Sequence, residues 1–206
     1  MLVALLTAHA RAASDPERDV LIRWLADYVV AKPNISTNRL IWEPEFNRLL
    51  DNAVPNPIPL YLGMTPNREV ETLRYHLGTV LGGPPNPVRV TEERYITASA
   101  CRPHSCPEKG LVWVDTATSQ LVVVVRHFLY QDQRRSLDSG DLMIATKDRA
   151  DFHDLPSAFF QELKSWLDAE KNSIPRYDIQ PAYVRFAGNR NTIVDVTDMY
   201  RRVVQQ

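Results

Sequence analysis

The chain has 206 residues, enough for one well-cored domain or a domain with an elaboration. Its 24 Lys and Arg are nearly cancelled by 25 Asp and Glu, giving a formal net charge of -1 with the two signs interspersed. That balance excludes nucleic-acid binding through a basic tract and an acidic tail that mimics a charged ligand. No run approaches the roughly 20 apolar residues a membrane-spanning helix needs.

Leu2-Val3-Ala4-Leu5-Leu6-Thr7-Ala8 is a short apolar run, and Ala10-Arg11-Ala12 supplies an A-x-A cleavage pattern. Residues 1–12 read as a truncated export signal whose basic leader is missing, as happens when a start codon is placed too late. The alternative is the first turn of an ordinary helix. On the first reading the mature chain begins near Ala13 and works outside the cytoplasm.

Residues 13–43 are expected to form a helical extension. Ser14-Asp15-Pro16-Glu17 has the capping-box form with proline in the first turn. Behind it, Val20, Leu21, Trp24, Leu25, Tyr28 and Val29 recur at helical spacing as far as about Ala31, before Pro33. A second helix is expected over Pro44 to Asn52, with Phe46, Leu49 and Leu50 inward. A third opens at Thr65-Pro66, carries Val70, Leu73, Leu77 and Val80, and ends at Gly82-Gly83. Prolines at 55, 57, 59, 84, 85 and 87 mark loops between these elements.

From Val88 the period changes. Val88, Val90, Tyr95 and Ile96 begin a strand-like stretch that leads to Cys101. Leu111 to Val114 and Leu121 to Arg126 are strongly β-prone about the turn-forming Asp115-Thr116-Ala117-Thr118-Ser119. The unbroken Leu121-Val122-Val123-Val124-Val125 predicts a central strand covered on both faces. Asp141 to Thr146 is a further short strand. A helix follows over about Pro156 to Glu170, with Phe159, Phe160, Leu163, Trp166 and Leu167 on one side. Tyr183 to Phe186 and Thr192 to Val196 suggest a closing hairpin about Gly188-Asn189. Helices gathered before a block of strands indicate an α+β fold with an antiparallel sheet packed against helices.

No nucleotide loop, zinc-protease helix or nucleophile elbow is present. Ser119 and Ser157 have no catalytic context. Asp138 with Asp141, and Asp148 with Asp151 and Asp154, read as solvated turns and a helix N-terminus. Asn34-Ile35-Ser36 fits the glycosylation triplet, a pattern common by chance. His9, His76, His127 and His153 each fit an ordinary place on a helix or strand. His104 alone sits in a constrained segment.

That segment is Cys101-Arg102-Pro103-His104-Ser105-Cys106, which holds the chain's only 2 cysteines. A lone pair suits one disulfide in an oxidising compartment. Two alternatives stay open at this point. Cys101, His104 and Cys106 with His127 or His153 could hold zinc, though their order is not a familiar structural spacing. A catalytic dithiol is the other, though it usually has C-x-x-C. Bridging about six residues removes only roughly 2 kcal/mol of denatured-state freedom, so a disulfide here would chiefly shape the loop, with proline stiffening it.

The stretch Tyr95-Ile96-Thr97-Ala98-Ser99-Ala100-Cys101-Arg102-Pro103-His104-Ser105-Cys106, followed by Leu111-Val112-Trp113-Val114, resembles the inhibitor of vertebrate lysozyme (Ivy) family. That family's signature is a disulfide-closed C-K-P-H-D-C loop after a Y-x-x-x-x-A-C approach. The likeness extends over about 44–169, including Glu45-Phe46-Asn47 and Pro59-Leu60-Tyr61-Leu62, with residues 63–86 as an insertion in a domain spanning 44–206. The resemblance implies an exported, periplasmic inhibitor of c-type lysozyme, not an enzyme, that needs no cofactor or metal. Its loop of Cys101, Arg102, Pro103, His104, Ser105 and Cys106 would project from the sheet into a lysozyme cleft, where His104 meets the two catalytic carboxyls. Arg102 keeps the positive charge of the family's lysine. Ser105 replaces its aspartate and removes a charge, which leaves room for a different target, such as a lytic transglycosylase met by an envelope binding or immunity protein. Neither nucleic acid nor a membrane span is implied, and a homodimer stays open.

Overall fold

Leu121, Val122, Val123, Val124 and Val125 are all fully buried, and their side chains divide between two hydrophobic cores. Successive strand residues point to opposite faces of a sheet. Leu121, Val123 and Val125 accordingly enter one core, and Val122 and Val124 enter the other. Each such side chain stabilises the fold by roughly 1.5–3 kcal/mol on leaving water, so this run anchors both layers at once.

The computed structural model describes residues 15–54, 58–60, 71–131, 134–169, 180–190 and 192–204. Three helices come first: α1 (Pro16–Ala31), α2 (Thr37–Leu40) and α3 (Pro44–Ala53). A two-stranded ladder of β1 (Pro59–Leu60) and β2 (Glu71–Thr72) precedes α4 (Leu73–Leu81). The main sheet has 7 strands, adjacent in sequence order: β3 (Arg89–Thr91), β4 (Tyr95–Arg102), β5 (Ser105–Asp115), β6 (Gln120–Gln131), β7 (Arg134–Ala145), β8 (Gln180–Ala187) and β9 (Ile193–Asp195). A 3-10 turn (Phe152–Asp154) and α5 (Ser157–Asp168) fall between β7 and β8, and α6 (Thr197–Val204) follows β9.

The α+β class is as the sequence predicts, with one difference in the sheet. The strand pair β7–β8 is parallel, whereas the neighbours on either side are antiparallel. A parallel pair needs a long crossover, and the stretch holding α5 provides it. Phe159, Phe160, Leu163, Trp166 and Leu167 of α5 join Trp113, Phe186 and Tyr200 in the core on one face. Leu21, Ile22 and Leu25 of α1, Phe46 and Leu49 of α3, and Leu77 and Val80 of α4 fill the core on the other. The first helices therefore share a core with Val123 and Val125 of the central strand.

Several boundaries differ in instructive ways. The N-cap of α1 is Asp15, whose carboxylate accepts from the Glu17 amide at 3.0 Å; Ser14 and the export-signal reading of residues 1–12 lie outside the described residues. α4 starts at Leu73 because the Thr72 hydroxyl caps it, accepting from the Tyr75 amide at 3.2 Å; Thr65-Pro66 and Val70 fall outside the described residues. Helices α2 and α6 have no counterpart among the elements expected from the sequence. β6 and β7 run well beyond the apolar cores that predict them.

Two acidic residues read as solvated are not. Asp148 has a side chain only 9 % exposed, pairs with Arg18 of α1, and accepts from the Leu121 amide at 2.8 Å. It thereby clips α1 to the start of β6. Asp141 is buried within β7 beside Arg185 of β8, at 3.1 Å. Among the described residues no helix is long and apolar enough to cross a membrane.

Candidate functional site

The hairpin joining β4 to β5 ends in Arg102-Pro103-His104-Ser105, with Arg102 paired to Ser105. Pro103 takes the second turn position, where its fixed φ is pre-set. His104 takes the third with a left-handed φ of 62°, as a type II turn demands. Both tip residues are exposed, while Cys101, Arg102 and Ser105 are half-buried.

Below the tip the register slips, so that Cys101 pairs with Lys109 while Arg102 pairs with Ser105. The three extra residues Cys106-Pro107-Glu108 form a large irregular bulge on β5, and bulges commonly re-aim a hairpin end. Cys101 and Cys106 are joined by a disulfide across this bulge, their Cα atoms 4.6 Å apart. In this bridged form neither sulfur is a free thiolate that could ligate zinc. His127 and His153 lie elsewhere, one buried and one exposed.

Neighbouring elements brace the loop from below. The Cys101 amide donates to the Pro84 carbonyl at 3.2 Å, and the next pair, Asn86 amide to Ser99 carbonyl, is 2.9 Å. Gly83 abuts the turn itself: a β-carbon there would lie 2.7 Å from the Pro103 nitrogen and 2.9 Å from the Arg102 carbonyl carbon, overlapping the Cys101 carbonyl. On the other side Arg126, 1 % exposed, donates through Nε to the Pro107 carbonyl at 3.1 Å. Within the loop, Arg102 Nη1 reaches both oxygens of the buried Glu108, at 3.1 and 3.4 Å. The charge expected to face a partner is therefore partly engaged with Glu108. Sequence reasoning missed Gly83, Glu108 and Arg126; the Gly-Gly-Pro-Pro run at 82–85 was the one signal available for the first.

A second group of polar residues is buried at the same end of the sheet. His76 of α4 is fully buried, with Nδ1 3.0 Å from Glu71 Oε2. Its ring meets His127 of β6 edge-on, the centroids 6.2 Å apart. Burial holds His127 well down, from 6.5 to about 4, despite the Nδ1 contact with the Phe128 carbonyl at 3.0 Å; His76 and Arg185 add repulsion. Burial also raises the Asp141 carboxyl above the ordinary range, against the attraction of Arg185. Each of these histidines is ordinary singly, as expected, but the fold brings two of them together.

Among the described residues, the His, Cys, Asp and Glu group close enough to hold a metal ion is Asp151, His153 and Asp154, half-buried to exposed at the turn before α5. A cleft of about 460 Å³ lies at the β8–β9 edge beside Tyr183, Asp195, Thr197 and Arg201. Neither feature involves the loop. The hairpin tip therefore offers an exposed imidazole and an exposed proline on a backbone tied by a disulfide and backed by Gly83.

Models of known protein families, curated proteins and solved structures were all compared with this chain, and none matches it.

Proposed function

We propose that this protein is a non-enzymatic inhibitor of a peptidoglycan-cleaving glycosidase, of the c-type lysozyme class, that acts by inserting the Cys101–Cys106 loop into the enzyme's cleft. The observation that carries the reading is His104, exposed at the tip of a turn that the disulfide and Gly83 hold in place. A retaining glycosidase keeps two carboxyls about 5 Å apart, one ionised and one protonated. A neutral imidazole has one donor and one acceptor nitrogen, so it can donate to the first and accept from the second. It would then fill the position of the scissile bond. A loop ordered before binding loses less freedom on association.

The disulfide suits an oxidising compartment, and the resemblance of the loop to the lysozyme-inhibitor signature supports the bacterial periplasm as that compartment. Ser105 favours a second reading on the same scaffold. Without the family's aspartate the loop lacks a negative charge and is left net positive, which suits another wall-cleaving enzyme, such as a lytic transglycosylase bound by an immunity protein.

The test is hydrolysis of cell-wall substrate by a c-type lysozyme, titrated with the oxidised protein. Stoichiometric inhibition is expected. No inhibition at large excess overturns the lysozyme assignment, and recovery of a transglycosylase from envelope extract would then establish the second reading.

A further inference from the structure

The loop tip is too small to hold a partner alone. A stable protein interface covers about 800 Å² and roughly 20–30 residues on each side, whereas the hairpin end has 4 residues from Arg102 to Ser105. Neighbouring surface must supply the rest, and one candidate surface packs directly against the loop base. Gly83 rests on the Cys101–Pro103 backbone, and the β position of the adjacent Gly82 is 3.6 Å from Ile41 Cδ1. Ile41 leads directly into Trp42. Along this path of contacts Trp42 lies no more than about 20 Å from the loop base, inside the roughly 30 Å span of a standard interface.

Trp42 is 81 % exposed, more than any other large hydrophobic side chain among the described residues. Its backbone is fixed, because the Trp42 amide donates to the Arg39 carbonyl and the next amide, Glu43, to Leu40 at 3.0 Å. Tyr75, 65 % exposed, stands on the outer face of α4. From it Thr79 and Gly82 follow at helical spacing toward the loop base, with Thr79 Oγ1 bonded to the Tyr75 carbonyl at 3.2 Å. Exposing an indole to water is unfavourable, and Trp and Tyr are the residue types that most often carry interface energy.

We infer that Trp42, with Tyr75 beside the same track, is a second anchor for the partner that receives the loop, packing on the rim of the glycosidase cleft while His104 occupies its centre. This rests on the reading given above. It assigns the segment after α1 to recognition: α2 and the turn after it carry the indole, and Ile41, Gly82 and Gly83 link it to the loop by packing.

The experiment measures binding of a c-type lysozyme to the full chain, the Trp42→Ala variant and a Val203→Ala control on α6, alongside inhibition and thermal melts. Trp42→Ala is expected to weaken binding at least tenfold with an unchanged melt, and Val203→Ala to leave both unchanged. Fluorine NMR of 5-fluorotryptophan-labelled protein gives a second readout, in which the resonance lost in Trp42→Phe shifts when unlabelled lysozyme is added. Inhibition by the wild type with Trp42→Ala within twofold of it overturns this inference and leaves the loop mechanism standing. Absence of any binding by the wild type overturns both.

Discussion

Gly83 lies so close to Cys101 that a β-carbon on the glycine would overlap the cysteine's carbonyl oxygen. The requirement at Gly83 is one of space, and it ties the end of α4 to the disulfide loop. Gly83→Ala must push the turn outward or part it from the Pro84 brace. Overpacking of this kind costs about 2 kcal/mol, so urea unfolding should show that loss together with weaker lysozyme inhibition. Unchanged stability would mean that the brace yields freely.

His104 is exposed and carries the left-handed φ of the turn. Asparagine tolerates that conformation better than most residues but lacks the imidazole. His104→Asn should therefore keep the fold, with stability changed by no more than about 0.5 kcal/mol, and weaken inhibition at least tenfold. His104→Ala should lose inhibition alike, with a larger loss of stability because alanine tolerates that φ less well. Equal inhibition by a folded variant would remove the imidazole from the mechanism.

The Cys101–Cys106 bridge closes a short loop in a domain with two extensive cores. Its loss should cost only about 2 kcal/mol of stability. The inhibition constant should rise by more than the roughly thirtyfold equivalent to that energy, because the unbridged loop must be ordered by the partner. Melts and titrations of Cys101→Ser/Cys106→Ser compare the two losses, and a larger loss in stability than in binding would contradict this account.

His127 links acid pH to stability. Burial beneath α4 lowers it from 6.5 to about 4, with His76 and Arg185 adding to the shift. The unfolded chain then binds a proton that the folded chain does not, so stability is present above about 6.5 and drains as pH falls toward 4. The loss between about pH 7 and about pH 5 should be about 2 kcal/mol. Urea unfolding across that range should show it, and His127→Phe should flatten the profile. A wild-type profile that is already flat would refute the assignment.

Which parts of this molecule were legible in the sequence follows from the range of the forces involved. The Leu121–Val125 run announced a strand buried on both faces, because a short apolar stretch without alternation leaves water only if both of its faces are covered. The cysteine pair favoured a bridge over the zinc and dithiol alternatives, and the bridge is present. Asp148 and Asp141 looked solvated because their cations, Arg18 and Arg185, are remote in the chain and reach them only through packing. The meeting of His76 with His127 has the same cause. The parallel β7–β8 pairing left its mark in the order strand, helix, strand from Asp141 to Phe186, not in strand periodicity, which is the same in either direction. In the loop itself the residue types at 101–106 were readable. The support from Gly83, Glu108 and Arg126 was not, since it depends on a bulge and on two neighbouring elements.

The measurement that bears most directly on loop insertion is competition at the lysozyme cleft. The dissociation constant of the oxidised protein for a c-type lysozyme should be determined alone and with a saturating N-acetylglucosamine oligosaccharide that fills the catalytic cleft. If His104 enters between the catalytic carboxyls, the oligosaccharide should abolish binding in a competitive manner. Binding of equal affinity to the saccharide-filled enzyme would place the protein elsewhere on its partner and contradict the central claim.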